Sequence, residues 1–290
     1  MIYLLLSILS STIIFVVFRL YKKFGVNTLQ AIIVNYFVAC TVGFFGYIDG
    51  SDFSHVPSEN WFPGALMLGA LFITVFNLAA ITTQKSGLSV VAVATKMSVA
   101  IPVFCGIFLY NESTGILKII GILLALVAVY LTSIKTKDGI SIKAKNLIFP
   151  LLVFIGSGII DTSLKYLETS YVSSTDVGLF SSTIFATAGS IGIMVLAFQA
   201  LKGSLKITYK NILGGIALGI PNYYSIYFLV MALRSNGMES STIFTINHVA
   251  IVTVSTLTGI LIFKEKLIPK NWIGLALAVI SIILVANSAI

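Results

Sequence analysis

The chain has 290 residues, 58% of them hydrophobic and 10% charged, with a mean hydropathy of +1.04. No water-soluble surface can be built from that balance, so most of the chain must face lipid and little is left for a soluble domain. The formal net charge of +8 does not indicate a nucleic-acid partner, because the basic residues fall in short clusters between apolar runs and not along one amphipathic face.

A hydrocarbon core of about 30 Å needs roughly 20 apolar residues per helical crossing, and the length fits about ten crossings with short loops. Apolar runs bounded by charges, Gly or Pro fall near 2–20, 28–48, 63–84, 88–109, 115–134, 146–167, 174–199, 210–233, 239–263 and 270–288. We denote them TM1 to TM10. Strands of a membrane barrel would be half as long and would alternate, so these runs predict helices, and the chain reads as an all-α integral membrane protein. The first twenty residues lack a basic n-region and a small-residue cleavage pattern, and they read as the first span. Cys40 and Cys105 lie inside apolar runs without metal-ligand spacing and read as small buried hydrophobes. Neither a metal nor another cofactor is expected. The longest connection, 49–62, contains Asp49, Asp52, Pro57 and Glu59 and reads as turn.

The basic stretch 135–145 divides the chain into two near-equal halves, 1–134 and 146–290. Laid over one another, they match weakly but at length. Gly106-Ile107-Phe108-Leu109-Tyr110-Asn111-Glu112 aligns with Gly259-Ile260-Leu261-Ile262-Phe263-Lys264-Glu265, and Gly121 then meets Gly274 without a gap. Upstream, Gly64, Gly69 and Gly87 meet Gly214, Gly219 and Gly237, while Ile14 and Arg19 meet Ile160 and Lys165. Five spans per half is an odd number, so the second half must enter the membrane upside down, which predicts two inverted five-helix repeats.

Lys and Arg are distributed unevenly among the loops. Fourteen of the eighteen follow odd-numbered spans, three (Lys118, Lys165 and Arg234) follow even-numbered ones, and Lys96 lies within a span. Basic loops resist translocation, so the stretch 135–145 is expected in the cytoplasm, and the loop 49–62 and both termini outside.

The ten-span duplication, with Gly-Ile-Leu-Ile-Phe-Lys-Glu-Lys at 259–266 and Trp-Ile-Gly-Leu-Ala-Leu-Ala at 272–278, resembles the EamA-type branch of the drug/metabolite transporter superfamily over essentially the whole chain. Glu112 with Gly121, and Glu265 with Gly274, match the family's pattern of a glutamate at the fourth and ninth turns followed nine residues later by a glycine. The resemblance implies a multi-pass protein of the cell inner membrane in which TM1–TM4 and TM6–TM9 enclose a substrate cavity and TM5 and TM10 act as scaffold. It also implies cytoplasmic termini, opposite to the charge bias.

Residues able to carry transport are the polar ones inside the spans. Lys96 stands about nine residues into TM4, where a lysine costs roughly 2.5–3.5 kcal/mol. It reads as a cationic site for an anionic group of the substrate, or else as half of a structural ion pair. Asp161 in TM6 is its expected partner and a candidate proton carrier, although Lys165, four residues on, offers Asp161 a local helix pair. His248, beside Asn247 in the middle of TM9, is a cavity-lining candidate, and its titration range suits proton exchange. Asn222, Tyr223 and Tyr227 in TM8 read as cavity wall, and Asn35 and Asn77 as further substrate contacts or interhelical hydrogen-bonding groups. Pro102 and Pro221 are candidate hinges. Gly215 and Gly219 have the spacing of close helix approach.

A secondary transporter of a small polar or amphipathic metabolite, such as an amino acid, organic anion or drug-like compound, fits these features best, working by alternating access between inverted halves with protons as a candidate coupling ion. Its expected partners are that small molecule and membrane lipid. No phosphate-binding ATPase loop occurs, and neither His-Glu-x-x-His nor Gly-x-Ser-x-Gly is present. An intramembrane enzyme and a channel are the alternatives.

Overall fold

The computed structural model of the chain describes residues 1–45, 53–86, 88–133, 146–202, 208–235, 238–264 and 267–287. The basic stretch 135–145, part of the loop 49–62, and Gly87, Gly237, Glu265 and Lys266 lie outside the described residues. Eleven α-helices are described: α1 (Ile2–Phe24), α2 (Thr28–Phe45), α3 (Phe62–Ser86), α4 (Leu88–Met97), α5 (Ala100–Tyr110), α6 (Ile116–Ser133), α7 (Ile148–Ser170), α8 (Val177–Leu201), α9 (Tyr209–Arg234), α10 (Ser240–Phe263) and α11 (Pro269–Asn287). They make ten spans long and apolar enough to cross a bilayer, because α4 and α5 together form TM4. Their outward faces are strongly apolar: Phe108 is 74% exposed and Leu261 79%, which only lipid tolerates. The protein is thus an all-α multi-pass membrane protein.

TM4 is interrupted at Ser98–Val99. Pro102 has no N–H to give the carbonyl four residues back, that of Ser98, and its ring crowds that carbonyl. The Ser98 carbonyl accepts from the Ile101 N–H at 2.9 Å instead, a tighter turn that ends one helix and begins the next. Pro221 has no such effect. The helix α9 runs unbroken through it, held against α2 where Gly215 and Gly219 let the two backbones close up.

The chain forms two compact units that do not coincide with its sequence halves. The first comprises Met1–Phe76 and Ser163–Arg234, the second Asn77–Thr162 and Ser235–Ile290, so the division falls inside α3 and α7. In the first unit α9 packs along α1 and α2, and α2 along α8. Its interior is aromatic: Trp61 meets Phe180 edge-on at 5.8 Å, and Tyr36 stacks on Phe185 at 6.2 Å. In the second unit α6 and α11 form the most extensive pair, and α10 packs against α5, α6 and α11. Small side chains fill that core, among them Ala125, Ala128, Val129, Val249 and Ala278.

Within each unit one pair of glycine-mediated helix approaches is reciprocal. A Cβ on Gly121 would sit 2.6 Å from Val285 Cγ2 and 3.2 Å from Leu284 Cβ, and one on Gly274 would sit 2.9 Å from both Thr132 Cγ2 and Leu131 Cβ. These pairs exchange under the register that aligns Gly121 with Gly274. In the first unit Gly69 closes on the Ile184 carbonyl and Thr187, and Gly219 on the Asn35 carbonyl and Val38, again counterparts. Reciprocity of this kind is what an isologous pairing requires. The ends of α5 and α10 agree too: Asn111 (φ 51, ψ 39) and Lys264 (φ 53, ψ 38) are both left-handed caps, bonded to the carbonyls of Gly106 and Gly259.

Candidate functional site

The second unit gathers three of the sequence-predicted residues from three helices. The Nε2 of His248 of α10 lies 3.2 Å from the Oδ2 of Asp161 of α7. The same carboxylate acts by Coulomb attraction on the ammonium of Lys96 at the end of α4. All three are largely removed from solvent: Lys96 is 9% exposed and His248 6%, and the Asp161 side chain 16%. Local packing explains how they come together. One turn before Asp161, Gly158 lets α7 close on Ile101 of α5, where a Cβ would lie 2.6 Å from that residue's Cβ. The break at Ser98–Val99 ends α4 immediately beyond Lys96, and discontinuous helices of this kind are a recurrent way to build a site inside a bilayer. Asp161 therefore supplies Lys96 with a negative charge from within the protein.

The α10 helix also carries buried polar atoms with no hydrogen-bond partner among the described residues: Asn247 Oδ1, His248 Nδ1 and Thr242 Oγ1. Each such atom costs about 1–3 kcal/mol unless something satisfies it.

A second charged cluster lies where the α5–α6 turn meets the start of α10. Glu112 Oε1 accepts from the Ser240 backbone N–H at 2.8 Å and from the Ser240 hydroxyl, and Oε2 accepts from the Ser241 N–H at 3.0 Å and from the Ser241 hydroxyl. A carboxylate from elsewhere in the chain thus caps α10, satisfying donors the helix cannot satisfy itself and facing its positive dipole end. The ammonium of Lys118, fully buried, donates to Glu239 and stands 3.5 Å from Glu112. Burial pushes both carboxyls up, but the hydrogen bonds of Ser240 and Ser241 on Glu112, and of Lys118 and Ser113 on Glu239, outweigh it and hold both below the ordinary carboxylate range. Among the described residues no three His, Cys, Asp or Glu side chains converge as a metal group.

The first unit holds the other candidates. Asn222 donates its amide to Asn35 Oδ1 at 3.0 Å, and one turn on, Ser7 donates to the Ser225 carbonyl at 2.9 Å. Nearer the other end, Asn211 donates to Gln30 Oε1 at 2.6 Å and accepts from the Asn27 N–H at 2.8 Å. Tyr223 and Tyr227 stack at 5.7 Å. Lys165 bonds Glu168 at 3.1 Å and the Leu233 carbonyl at 3.3 Å, so the nearest acid on its own helix that it engages is Glu168. A groove of about 410 Å³ in this unit is lined by Phe44, Phe62, Leu66 and Met194 and by none of the candidate residues. The hydroxyls of Thr183, Thr187 and Ser190 on its wall are spent on carbonyls of their own helix.

The sequence-predicted residues thus divide: Lys96, Asp161, His248, Asn247, Pro102 and the half-buried Asn77 belong to the second unit, and Asn35, Asn222, Tyr223, Tyr227, Lys165 and Pro221 to the first. Sequence reading missed the Glu112, Lys118 and Glu239 cluster and the Gln30–Asn211 bond. The Glu-Ser-Ser run at 239–241 carries the composition of a helix start, which is the signal that was there to be used.

Comparison with known proteins fits this architecture. Residues 1–134 match the EamA-like transporter family. An uncharacterized protein of Haemophilus influenzae is 28% identical over 278 residues, covering 94% of this chain and 93% of that protein. A glucose uptake protein, GlcU, of Staphylococcus xylosus is 28% identical over 187 residues, 62% of this chain and 60% of that protein. One crystal structure superposes with a TM-score of 0.82 over 99% of this chain and 96% of that one, at 12% identity, which bears on the fold alone. Over its first 134 residues the chain is thus similar to the EamA-like transporter family, and its ten apolar helices make it a multi-pass membrane protein.

Proposed function

We propose that the protein is a secondary active transporter, not an enzyme, that moves a small polar metabolite by alternating access, with Lys96, Asp161 and His248 as its transport site. The observation that carries the reading is the convergence of an ammonium, a carboxylate and an imidazole from α4, α7 and α10, beside a helix break in a span that must otherwise satisfy its own backbone. The reciprocal glycine contacts support two inverted copies, the frame on which alternating access operates. Protons are the proposed coupling ion, because an imidazole within hydrogen-bonding distance of a carboxylate gives one proton two places to reside.

The test is uptake into proteoliposomes of a panel of amino acids, organic anions, sugars and cationic drugs, with and without an imposed proton gradient, for the wild type, Lys96→Gln, Asp161→Asn and the double variant. At least one compound is expected to be transported and to respond to the gradient. Lys96→Gln should keep near-normal abundance with transport reduced at least tenfold, about 1.4 kcal/mol. Neutralising both partners relieves the penalty of a lone buried charge, so full recovery of transport in the double variant would leave the pair structural and overturn the site.

For orientation we propose external termini, on the bias of basic loops. Cysteines at Ser51 and Thr136 report it with an impermeant thiol reagent on intact cells. Labelling is expected at 51 only, and labelling at 136 only would place the termini in the cytoplasm.

A further inference from the structure

Resting on that reading, we propose that the molecule taken up by this site is a neutral polyhydroxyl compound, a sugar or polyol, whose hydroxyls donate to Asn247 Oδ1 and His248 Nδ1.

Three observations lead there. The first is charge. The ammonium of Lys96 lies within Coulomb range of the Asp161 carboxylate in the same unit, so one positive and one negative formal charge of the site offset each other without a ligand. An added carboxylate or ammonium would bring an unmatched charge into a place that is nearly closed to water, and such a charge is costly unless fully paired.

The second is the chemistry of the unpaired atoms. His248 Nε2 lies 3.2 Å from Asp161 Oδ2, and a proton on Nε2 suits that carboxylate and leaves Nδ1, which has no partner among the described residues, as a lone-pair acceptor. The Asn247 Oδ1 is also an acceptor, and it too has no partner among the described residues. Two adjacent residues of α10 thus present acceptors that lack donors, in a span where few other donors exist. The ligand that completes them must donate hydrogen bonds, which a carboxylate does not.

The third is reach. Successive residues of a helix diverge by about 100°, so the two acceptors point apart and one small group does not serve both. Hydroxyls on different carbons of one molecule do. Hydroxyls also accept, which makes them compatible with the Lys96 ammonium nearby. A site built to bond hydroxyls rejects an analogue lacking one far more strongly than an apolar pocket rejects a missing methylene, so the proposal carries a sharp specificity signature.

The experiment is ligand binding to the purified full-length protein in nanodiscs, followed by radioligand competition and by thermal protection. The probes are D-glucose, sorbitol and inositol, with succinate, alanine and tetraphenylphosphonium as anionic, zwitterionic and cationic comparators. At least one polyol should bind, and within its deoxy series removal of one or two particular hydroxyls should weaken binding at least tenfold, a result that needs no altered protein. Asn247→Leu and His248→Phe should each weaken it at least tenfold, with the milder Asn247→Ser and His248→Gln in reserve where the first pair fails to fold. Absence of binding by every polyol overturns the proposal and assigns the two acceptors to water. Binding of a polyol that tolerates every deoxy substitution also overturns it. Transport of anions alone, abolished by Lys96→Gln, overturns the polyol class and leaves the transport site standing. If nothing on either panel is transported, the transport reading itself fails.

Discussion

In the first unit two pairs of buried neutral amides meet: Asn222 donates to Asn35 at 3.0 Å, and Asn211 to Gln30 at 2.6 Å. Its one buried carboxylate among the described residues, Glu168, is paired with Lys165 and Arg234 toward helix ends, with Arg234 also donating to the Val172 carbonyl at 2.8 Å. The second unit buries full charges, in the Lys96–Asp161–His248 group and in Glu112–Lys118–Glu239, and leaves acceptors on Asn247 and His248 without partners among the described residues. Amide pairs fasten helices at modest cost, because deleting both partners returns the site to an apolar one. Buried charge is different. It is stable only while every partner is present, and that dependence is what a site able to change its occupant requires.

The largest effect should come from breaking the charge cluster at the start of α10. Lys118→Ala leaves two carboxylates facing each other and should lower stability by about 3–5 kcal/mol, read as loss of monodisperse protein on heating in detergent. An effect under about 1 kcal/mol would mean that the cluster is as dispensable as a surface pair. Next comes the neutral counterpart. Asn35→Leu and Asn222→Leu should each cost about 1–3 kcal/mol and the double variant less than their sum, whereas strict additivity would show the amides acting separately. Overpacking comes third. Gly121→Ala and Gly274→Ala should cost a similar 1–3 kcal/mol each, since the same pair of helices meets the same obstruction from either side, and a large disparity would show that the two contacts are not equivalent.

The smallest effect is that of pH. Because the native Glu112 and Glu239 titrate below the ordinary value of 4.5, their contribution is fully present above that value and is lost as pH falls through their lower native range. Thermal stability should be level from neutral pH down to about 5 and decline below it, and Glu112→Gln should flatten the decline. A decline that begins near pH 6.5 would point to histidine instead.

Much of this comparison was legible in the residues. Lys96, Asp161 and His248 stand out because a charge in an apolar run has no bland place to go, and Pro102 announced the interruption of TM4 because a missing N–H acts on its own helix. Pro221 misled for the same reason in reverse, since tertiary packing of α9 on α2 overrides the local defect. Lys118 was read as one of three basic residues on a sparsely charged side, when it is in fact a buried ion-pair member. The cap of α10 could not be seen at all, because its carboxylate lies 128 residues from Ser240 and no local pattern spans that distance. Glycine spacing was informative because a glycine inside a span marks where another backbone comes near.

The reciprocal glycines have a consequence for ancestry. Two separate copies of a five-span protein, paired as these halves are, would carry every buried ionisable group twice, along with twice its cost of insertion. A single chain is free of that symmetry. Under the registers that exchange Gly121 with Gly274 and Arg19 with Lys165, the counterpart of Lys96 is Val249 and that of Asp161 is Phe15. The reciprocal glycine contacts thus coexist with buried charged groups that have no charged counterpart under the same registers, so the two sequence halves are alike in backbone approach and unlike in chemistry.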